Sequence, residues 1–144
     1  MNYGELKTQF EGLLKRRDLT TTQRDIWLNQ SMERAENLLR VPSQEKSVSL
    51  PAASEIAIPV DLLRLKSLNA SNALGAWELR QRDLATVLAH STDTGNPEVY
   101  ARRGSNWLLA PAPTSDITIR VDYYAEAEDL LNDTDTNWLT LTSP

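Results

Sequence analysis

Three groups of side chains in this sequence have the residue types that binding or catalysis requires, and the first resembles a calcium site. Asp133, Asp135 and Asn137 reproduce the D-x-D-x-N half of a calcium-binding loop. The complete loop needs Gly at its sixth position and Glu at its twelfth. This chain has Trp138 and Pro144 there. The pattern therefore predicts an acidic turn and no metal site.

The second group consists of His90, Ser91 and Asp93, which are the residue types of a hydrolase triad. A triad depends on distances in the folded chain, and immediate neighbours on one loop rarely reach that geometry. The sequence also has no Gly-x-Ser-x-Gly motif, which places the serine of many hydrolases on a strained turn. We therefore interpret the histidine as a solvated loop residue.

The third group consists of two carboxylate pairs, Glu126 with Glu128 and Asp133 with Asp135. Glycosidase chemistry needs one of two carboxyl groups in an apolar pocket beside a substrate cleft. These pairs occur in an acidic run that we expect to be exposed. The five glycines are also too scattered for a phosphate-binding loop. We therefore expect no enzyme activity.

The composition of the chain excludes further classes of site. The 144 residues correspond to about one domain. There is no cysteine and one histidine, which excludes disulfides, thiolate nucleophiles, cysteine zinc sites and two-histidine metal sites. No apolar run approaches the ~18 residues of a membrane span. We expect a soluble, intracellularly made, non-enzymatic domain without a cofactor.

The charge is distributed unevenly along the chain. The formal net charge is −5, and residues 73–144 hold eleven acids against five bases. The acids beyond the last base are Asp122, Glu126, Glu128, Asp129, Asp133 and Asp135. Such a surface repels the phosphates of nucleic acids. The acidic stretch therefore fits either a surface that DNA passes without binding or a docking edge for a basic partner. The alternative is that it is a solvated tail.

Apolar residues three and four positions apart predict two helices near the N-terminus, at residues 3–17 and 23–40. Thr22 with Asp25 resembles a capping box for the second helix. Pro42 ends that helix, because proline cannot continue a helical hydrogen-bond pattern. Two amphipathic helices with a short connection pack as an antiparallel hairpin.

After Pro42 the pattern changes to short runs that are typical of strands, with one or two helical turns at residues 82–90. The predicted strands lie at residues 47–50, 55–58, from 63 onward, 77–79, 99–101, 107–110 and 117–124. The sequence therefore predicts an α+β fold, with an N-terminal antiparallel helical hairpin followed by short antiparallel strands. We divide it into a hairpin at 1–42 and a mainly β region at 43–144, which form a single structural unit.

The order of several short motifs along the chain is distinctive. The motifs are Tyr3-Gly4-Glu5-Leu6, Leu38-Leu39-Arg40-Val41, Ile58-Pro59-Val60-Asp61-Leu62-Leu63-Arg64-Leu65, Gly95-Asn96-Pro97-Glu98-Val99-Tyr100-Ala101, Leu109-Ala110-Pro111-Ala112-Pro113, Val121-Asp122-Tyr123-Tyr124-Ala125 and Thr136-Asn137-Trp138-Leu139. This series resembles the phage adaptor proteins, the head-to-tail connectors of tailed phages. In that family the Asn-Trp-Leu motif precedes a further, largely helical segment. We therefore expect a shortened variant or a truncated chain.

The resemblance implies a structural virion protein, made in the host cytoplasm, with no catalytic residues. It implies a homo-oligomeric ring, commonly a dodecamer, in the neck beneath the portal protein. The ring extends the DNA channel and offers a platform to tail or nozzle proteins. DNA passes through without specific binding, and no membrane is involved. The six acids beyond Val121 are candidates for the channel or another acidic surface.

Aromatic side chains dominate buried contacts and are therefore our candidates for the interface. They are Tyr3, Trp27, Tyr123, Tyr124 and Trp138. The alternative is that all five belong to an ordinary core. A rival interpretation of the whole chain is a small non-catalytic binding module that docks a peptide or a carbohydrate on an exposed sheet edge.

Overall fold

A computed structural model describes residues 1–15, 18–114 and 116–141 of the chain. Its helices are α1 (Tyr3–Leu14), α2 (Thr21–Leu38), α3 (Leu84–His90) and α4 (Trp138–Leu141), with a 3-10 turn at Pro42–Gln44. Its strands are β1 (Glu45–Pro51), β2 (Glu55–Ala57), β3 (Leu62–Asn72), β4 (Gly75–Glu78), β5 (Arg80–Gln81), β6 (Thr94–Gly95), β7 (Val99–Arg103), β8 (Asn106–Ala110), β9 (Ala112–Pro113) and β10 (Thr118–Ala125). N-terminal helices followed by mostly antiparallel strands confirm the predicted α+β class.

The chain forms two compact units, which we name by their content. The helical unit comprises Met1–Gln44 together with Glu126–Pro144, and the β unit comprises Glu45–Ala125. The segment that follows β10 thus belongs to the same unit as α1 and α2.

Both N-terminal helices begin at capping boxes, in which a side chain accepts a backbone N–H bond and the third helical residue returns one. Asn2 and Glu5 form the box of α1. Thr20 and Gln23 form the box of α2, so the predicted cap at Thr22 is wrong. Glutamine completes the box because its side chain reaches the backbone N–H of Thr20.

The helix α1 is shorter than the sequence predicts. It ends at Leu14, where Lys15 takes a left-handed conformation with φ of 52°. The predicted continuation through Arg16 and Arg17 lies outside the described residues. The end of α2 at Leu38 also comes two residues before the predicted end, and its C-cap residue is already extended.

The helical unit has a small apolar core supported by backbone contacts. Its buried cluster consists of Tyr3, Leu28, Met32 and Leu130. The backbone N–H groups of Tyr3 and Gly4 donate to the carbonyl oxygens of Asp135 and Asp133, at 3.0 and 2.9 Å. A Cβ atom on Gly4 would lie 3.1 Å from the Cβ of Asp133. Glycine therefore permits the close approach of α1 to the C-terminal segment.

The β unit contains two four-stranded sheets with the orders β1-β10-β3-β4 and β2-β8-β7-β5. Alternate residues of β10 are buried, as predicted, and Ile119, Val121 and Tyr123 enter the core cluster. Trp107 and Leu109 of β8 contribute to the same cluster. The apolar alternation of the strands therefore fixes which face of each sheet packs inward.

Two short pairings in the β unit are parallel, unlike the predicted antiparallel strands. They join β5 with β7 and β6 with β9, over two residues each. The helix α3 lies between β5 and β7 in the chain and buries Val87 with Ala101, Leu108 and Ala110. A helical crossover of this kind is what parallel neighbours require.

Candidate interaction surfaces

The helical unit contains a groove between α2 and the segment that follows β10, with a volume of about 440 Å³. We call it the acidic groove. Its carboxylates are Glu33 and Glu36 of α2 and Glu126, Glu128 and Asp129 of the C-terminal segment. Its apolar lining residues are Ile26, Met32, Ala127, Leu130 and Leu131. No lysine or arginine of the described chain lines it, so the groove favours cationic groups.

The pKa of Glu36 shows how closely the groove brings acids together. Partial burial raises the pKa of this carboxyl, and the charges of Glu126, Asp129 and Glu33 raise it further. A hydrogen bond donated by the backbone N–H of Ala127 acts in the opposite direction. The carboxylate therefore links α2 to the C-terminal segment while remaining crowded by like charges.

Two of the predicted surface acids, Asp133 and Asp135, hold the fold together. Asp133 accepts a hydrogen bond from Lys7 Nζ at 2.8 Å, which lowers the pKa of the carboxyl. Asp135 accepts backbone N–H bonds from Asn132 and Leu131 at 2.7 and 2.9 Å, which lower its pKa. These two side chains close the acidic turn rather than extend the groove.

Asp122 lies in the β unit, at the centre of a hydrogen-bond network across three strands. Its carboxylate accepts bonds from the side chains of Ser47 on β1, Ser67 and Asn69 on β3, and Arg120 on β10 itself. Burial acts to raise the pKa of Asp122, but these donors outweigh it and lower the pKa. Of the six predicted acids, only Glu126, Glu128 and Asp129 gather in the groove.

The five predicted interface aromatics do not form one surface. Tyr3 is 3% exposed in the core of the helical unit, whereas Trp27 on α2 is 41% exposed. Tyr124 and Trp138 are half-buried. Tyr123 is 2% exposed in the core of the β unit. Trp27 therefore presents the largest exposed fraction among them.

The Tyr123 hydroxyl donates a hydrogen bond of 2.8 Å to Asp61 Oδ1. Lys46 Nζ donates to the other oxygen of the same carboxylate at 2.9 Å. Burial and the neighbouring carboxylate raise the pKa of Tyr123 to about 12. Burial acts to raise the pKa of Asp61, but the bonds from Lys46 and Tyr123 lower it. This triad joins β1, β10 and the turn before β3.

A comparison with protein families identifies the group to which this architecture belongs. The family model of the SU10 adaptor protein matches residues 1–144. The chain belongs to the SU10 adaptor protein family. The predicted resemblance to phage adaptors is thereby confirmed. No curated protein matches the chain.

Membership of the SU10 adaptor family identifies a phage adaptor protein, a component of the virion that interacts with other virion proteins. Among the described residues of this adaptor, no helix is long and apolar enough to cross a membrane. Within the same residues, no cluster of three or more acidic or histidine side chains is placed to hold a metal ion.

Sequence reasoning missed two acids of this adaptor's groove, Glu33 and Glu36. Their spacing of three residues places them on one face of α2, which is the signal that could have found them. Nothing in the sequence pattern shows that Glu126, Glu128 and Asp129 pack beside that face, because this contact joins segments that are distant in the chain.

Proposed function

We propose that this chain is a structural, non-catalytic head-to-tail adaptor that assembles as a closed ring between the portal and the tail and extends the DNA channel. The observation that carries the proposal is the match of the SU10 adaptor family model to residues 1–144. An adaptor between two protein assemblies works by shape and contact. Its partners are further copies of itself, the portal protein and tail or nozzle proteins.

The surfaces of the two units support a ring. A cyclic assembly needs two different patches on each copy, because each subunit meets one neighbour on each side. The helical unit exposes large apolar side chains of α2, including Ile26, Trp27 and Leu38. The β unit exposes the edge strand β1, which is polar at Ser47 and Ser49. These patches differ in shape and chemistry, as a heterologous contact requires.

The acidic groove supports a channel through which DNA moves without being retained. Glu126, Glu128 and Asp129 are exposed and form no ion pair with any described residue. Carboxylates repel the phosphate backbone, whereas each Lys or Arg contact would add affinity through counterion release. We therefore place these three acids on the surface that faces DNA.

The geometry around the lone histidine supports a non-catalytic role. His90 Nδ1 lies 3.6 Å from Asp93 Oδ2, and both side chains are exposed. The Ser91 hydroxyl donates to the Leu88 carbonyl oxygen at 2.9 Å instead of to the imidazole. This cluster lacks the nucleophile–base hydrogen bond that a triad needs.

The ring is tested by native mass spectrometry and negative-stain imaging of the full chain, alone and with the portal protein. We expect closed rings in at least one of these conditions. A strict monomer at high concentration, in the presence of the portal, overturns the proposal.

The channel assignment has its own test, a triple variant Glu126→Lys, Glu128→Lys and Asp129→Lys. We expect the natural chain not to bind duplex DNA and the variant to bind it. With three added phosphate contacts, affinity should fall about 40-fold when salt rises from about 50 to 200 mM. A control with two lysines instead of three, Asp93→Lys with Asp116→Lys, places the added charge on exposed positions of the β unit. Binding by the natural chain would contradict the assignment.

A further inference from the structure

We propose that neighbouring copies of this chain join through their four-stranded sheets, with the β1 edge of one copy pairing in parallel with the uncovered half of β3 in the next. This inference rests on the proposed ring and specifies the contact that closes it. Each copy would contribute both edges of its sheet, one to each neighbour.

The first edge is β1, the outermost strand of the sheet β1-β10-β3-β4. All seven residues of β1 pair with β10 on one side, from Glu45 opposite Tyr124 to Pro51 opposite Thr118. No strand of the described chain lies on its other side. Alternate residues of an antiparallel edge direct their N–H and C=O groups away from the sheet. The β1 edge therefore presents backbone groups that can accept another strand.

The second edge belongs to the first half of β3. The strand β4 pairs only with Asn69–Asn72, so residues 62–67 have a described neighbour on the β10 side alone. The side chains of Arg64 and Lys66 are exposed there. At about 3.3 Å per residue, this stretch spans roughly 20 Å and β1 roughly 23 Å. The two open edges therefore match in length.

The direction and the charge of the two edges are also compatible. Both β1 and β3 run antiparallel to β10, so they run parallel to each other. If the sheet continues from copy to copy, β1 of one copy meets β3 of the next in parallel. Glu45 begins β1 and already accepts an ion pair from Lys66 Nζ of its own copy at 2.7 Å, whereas Arg64 forms no ion pair with any described residue. An added strand aligned from its first residue brings these opposite charges close together.

A second copy suits these edges better than a free peptide. A peptide would satisfy one edge and leave the other open, and an exposed long edge promotes uncontrolled association. Pairing β1 with β3 satisfies both edges in a single heterologous contact, which is the kind that closes into a ring. A strand from another protein at either edge is an alternative outcome of the test below.

The absence of cysteine from the natural sequence permits a direct test by engineered disulfides. In the double variant Ser49→Cys and Lys66→Cys, the two positions face each other in the proposed contact if Glu45 aligns with Leu62. Within one copy they lie on strands separated by β10, about 10 Å apart or more. A disulfide needs Cα atoms within about 7 Å, so it can form only between copies.

Under mild oxidation of the full chain, we expect a ladder of covalent multimers that collapses to monomer with reductant. The matched control is Ser49→Cys with Ser71→Cys, because Ser71 is covered by Ala76 of β4. We expect no ladder from the control. A second pair, Ser47→Cys with Lys66→Cys, covers a shift of the added strand by two residues.

The outcomes separate this inference from the proposed ring. If native mass spectrometry shows rings but neither cysteine pair gives a ladder, the sheet contact is wrong and the proposed ring is retained. Monomers in both assays overturn both proposals. Covalent dimers without larger species, or equal ladders from the control, also overturn the contact. If a synthetic peptide of residues 45–51 binds the monomer while copies remain separate, the edge docks a foreign strand and the inference is wrong.

Discussion

Among the described residues, two buried apolar clusters of twelve and four side chains form the core of the β unit, whereas a single cluster of four forms that of the helical unit. The helical unit instead relies on polar links between distant segments, including the Lys7–Asp133 ion pair and the backbone bonds from Tyr3 and Gly4. Burial of apolar area supplies most folding free energy, so the two units should differ in intrinsic stability.

Most of the exposed large apolar side chains of the described chain also belong to the helical unit. They are Leu13, Ile26, Trp27, Leu38, Leu39, Leu131 and Leu141, against Val60, Leu74, Leu84 and Leu88 in the β unit. Large exposed apolar patches on a protein commonly mark the sites where partner proteins bind. The β unit is therefore largely complete by itself, while the helical unit has most to gain from assembly.

The largest effect should follow from removing apolar volume in the β unit. Leu109→Ala leaves a cavity at a fully buried position and should destabilise the protein by about 3 kcal/mol. Urea unfolding monitored by tryptophan fluorescence measures the change. Val60→Ala, at a fully exposed position, is the control and should change stability by less than about 0.5 kcal/mol. Equal effects of the two variants would contradict the packing of this core.

In the helical unit, removing the polar side chain of Asn137 should lower the free energy of unfolding almost as much. The side-chain oxygen of Asn137, Oδ1, accepts N–H bonds from Leu139 and Thr140, and its side-chain Nδ2 donates to the Glu128 carbonyl oxygen. Asn137→Ala removes the cap of α4 and leaves buried groups unpaired, at a cost of about 2 kcal/mol.

The matched variant Asn137→Ser keeps a capping acceptor and should recover about half of the loss. Hydrogen exchange should localise the loss to residues of the helical unit. An unchanged urea midpoint for Asn137→Ala would show that apolar contacts alone hold the helical unit and that its polar links between distant segments contribute little stability.

The triad of Tyr123, Asp61 and Lys46 predicts a pH effect confined to the β unit. The folded protein holds the phenol proton more tightly than the unfolded chain, because the folded pKa is about 12 and the ordinary value is 10.0. The contribution of this pKa difference to the free energy of unfolding is fully present below about pH 10 and is lost as the pH rises to about 12. Tyr123→Phe should cost about 1.5 kcal/mol at pH 7 and remove the share of the alkaline loss that comes from Tyr123, while the raised pKa values of Tyr3 and Tyr100 leave a smaller loss in place.

Urea unfolding at pH 7, 10 and 11 measures this effect. Tyr124→Phe, the adjacent tyrosine on the same strand, is the control and should keep the alkaline loss. A Tyr123→Phe variant that loses stability above pH 10 as steeply as the natural chain would refute the role of the triad.

Local patterns in the sequence were sufficient to predict most of the elements. The alternation of Ile117, Ile119, Val121 and Tyr123 predicts β10, because one face of that strand is buried. The same logic failed at the start of α2, where Thr20 and Thr22 are both plausible caps. Only the side chain of Gln23 decides between them.

Contacts between distant segments could not be predicted in this way. The pairing of α1 with the C-terminal segment depends on backbone atoms of Tyr3 and Asp135, which carry no sequence signature. For the same reason, the acids of the C-terminal segment were predicted to form an acidic surface, but Glu36 of α2 was not predicted to join them. Residue type alone also placed Tyr3 and Tyr123 among the candidate interface residues, although both are buried within a single chain.

The smallest effect should come from Glu36 in the acidic groove. Here the substitution should raise the free energy of unfolding, whereas the substitutions above lower it. The folded pKa of Glu36 is raised, so its ionisation disfavours the folded state as the pH rises above the ordinary value of 4.5. Glu36→Gln keeps an acceptor for the Ala127 N–H and should stabilise the helical unit by up to about 0.5 kcal/mol at pH 7. Near pH 4 the gain should vanish. Glu33→Gln, exposed on the same helix, is the control for urea unfolding at both pH values. If Glu36→Gln destabilises the protein equally at both pH values, the Glu36 side chain acts mainly as a hydrogen-bond acceptor for the Ala127 N–H. Repulsion between like charges then does not reduce the stability of the helical unit.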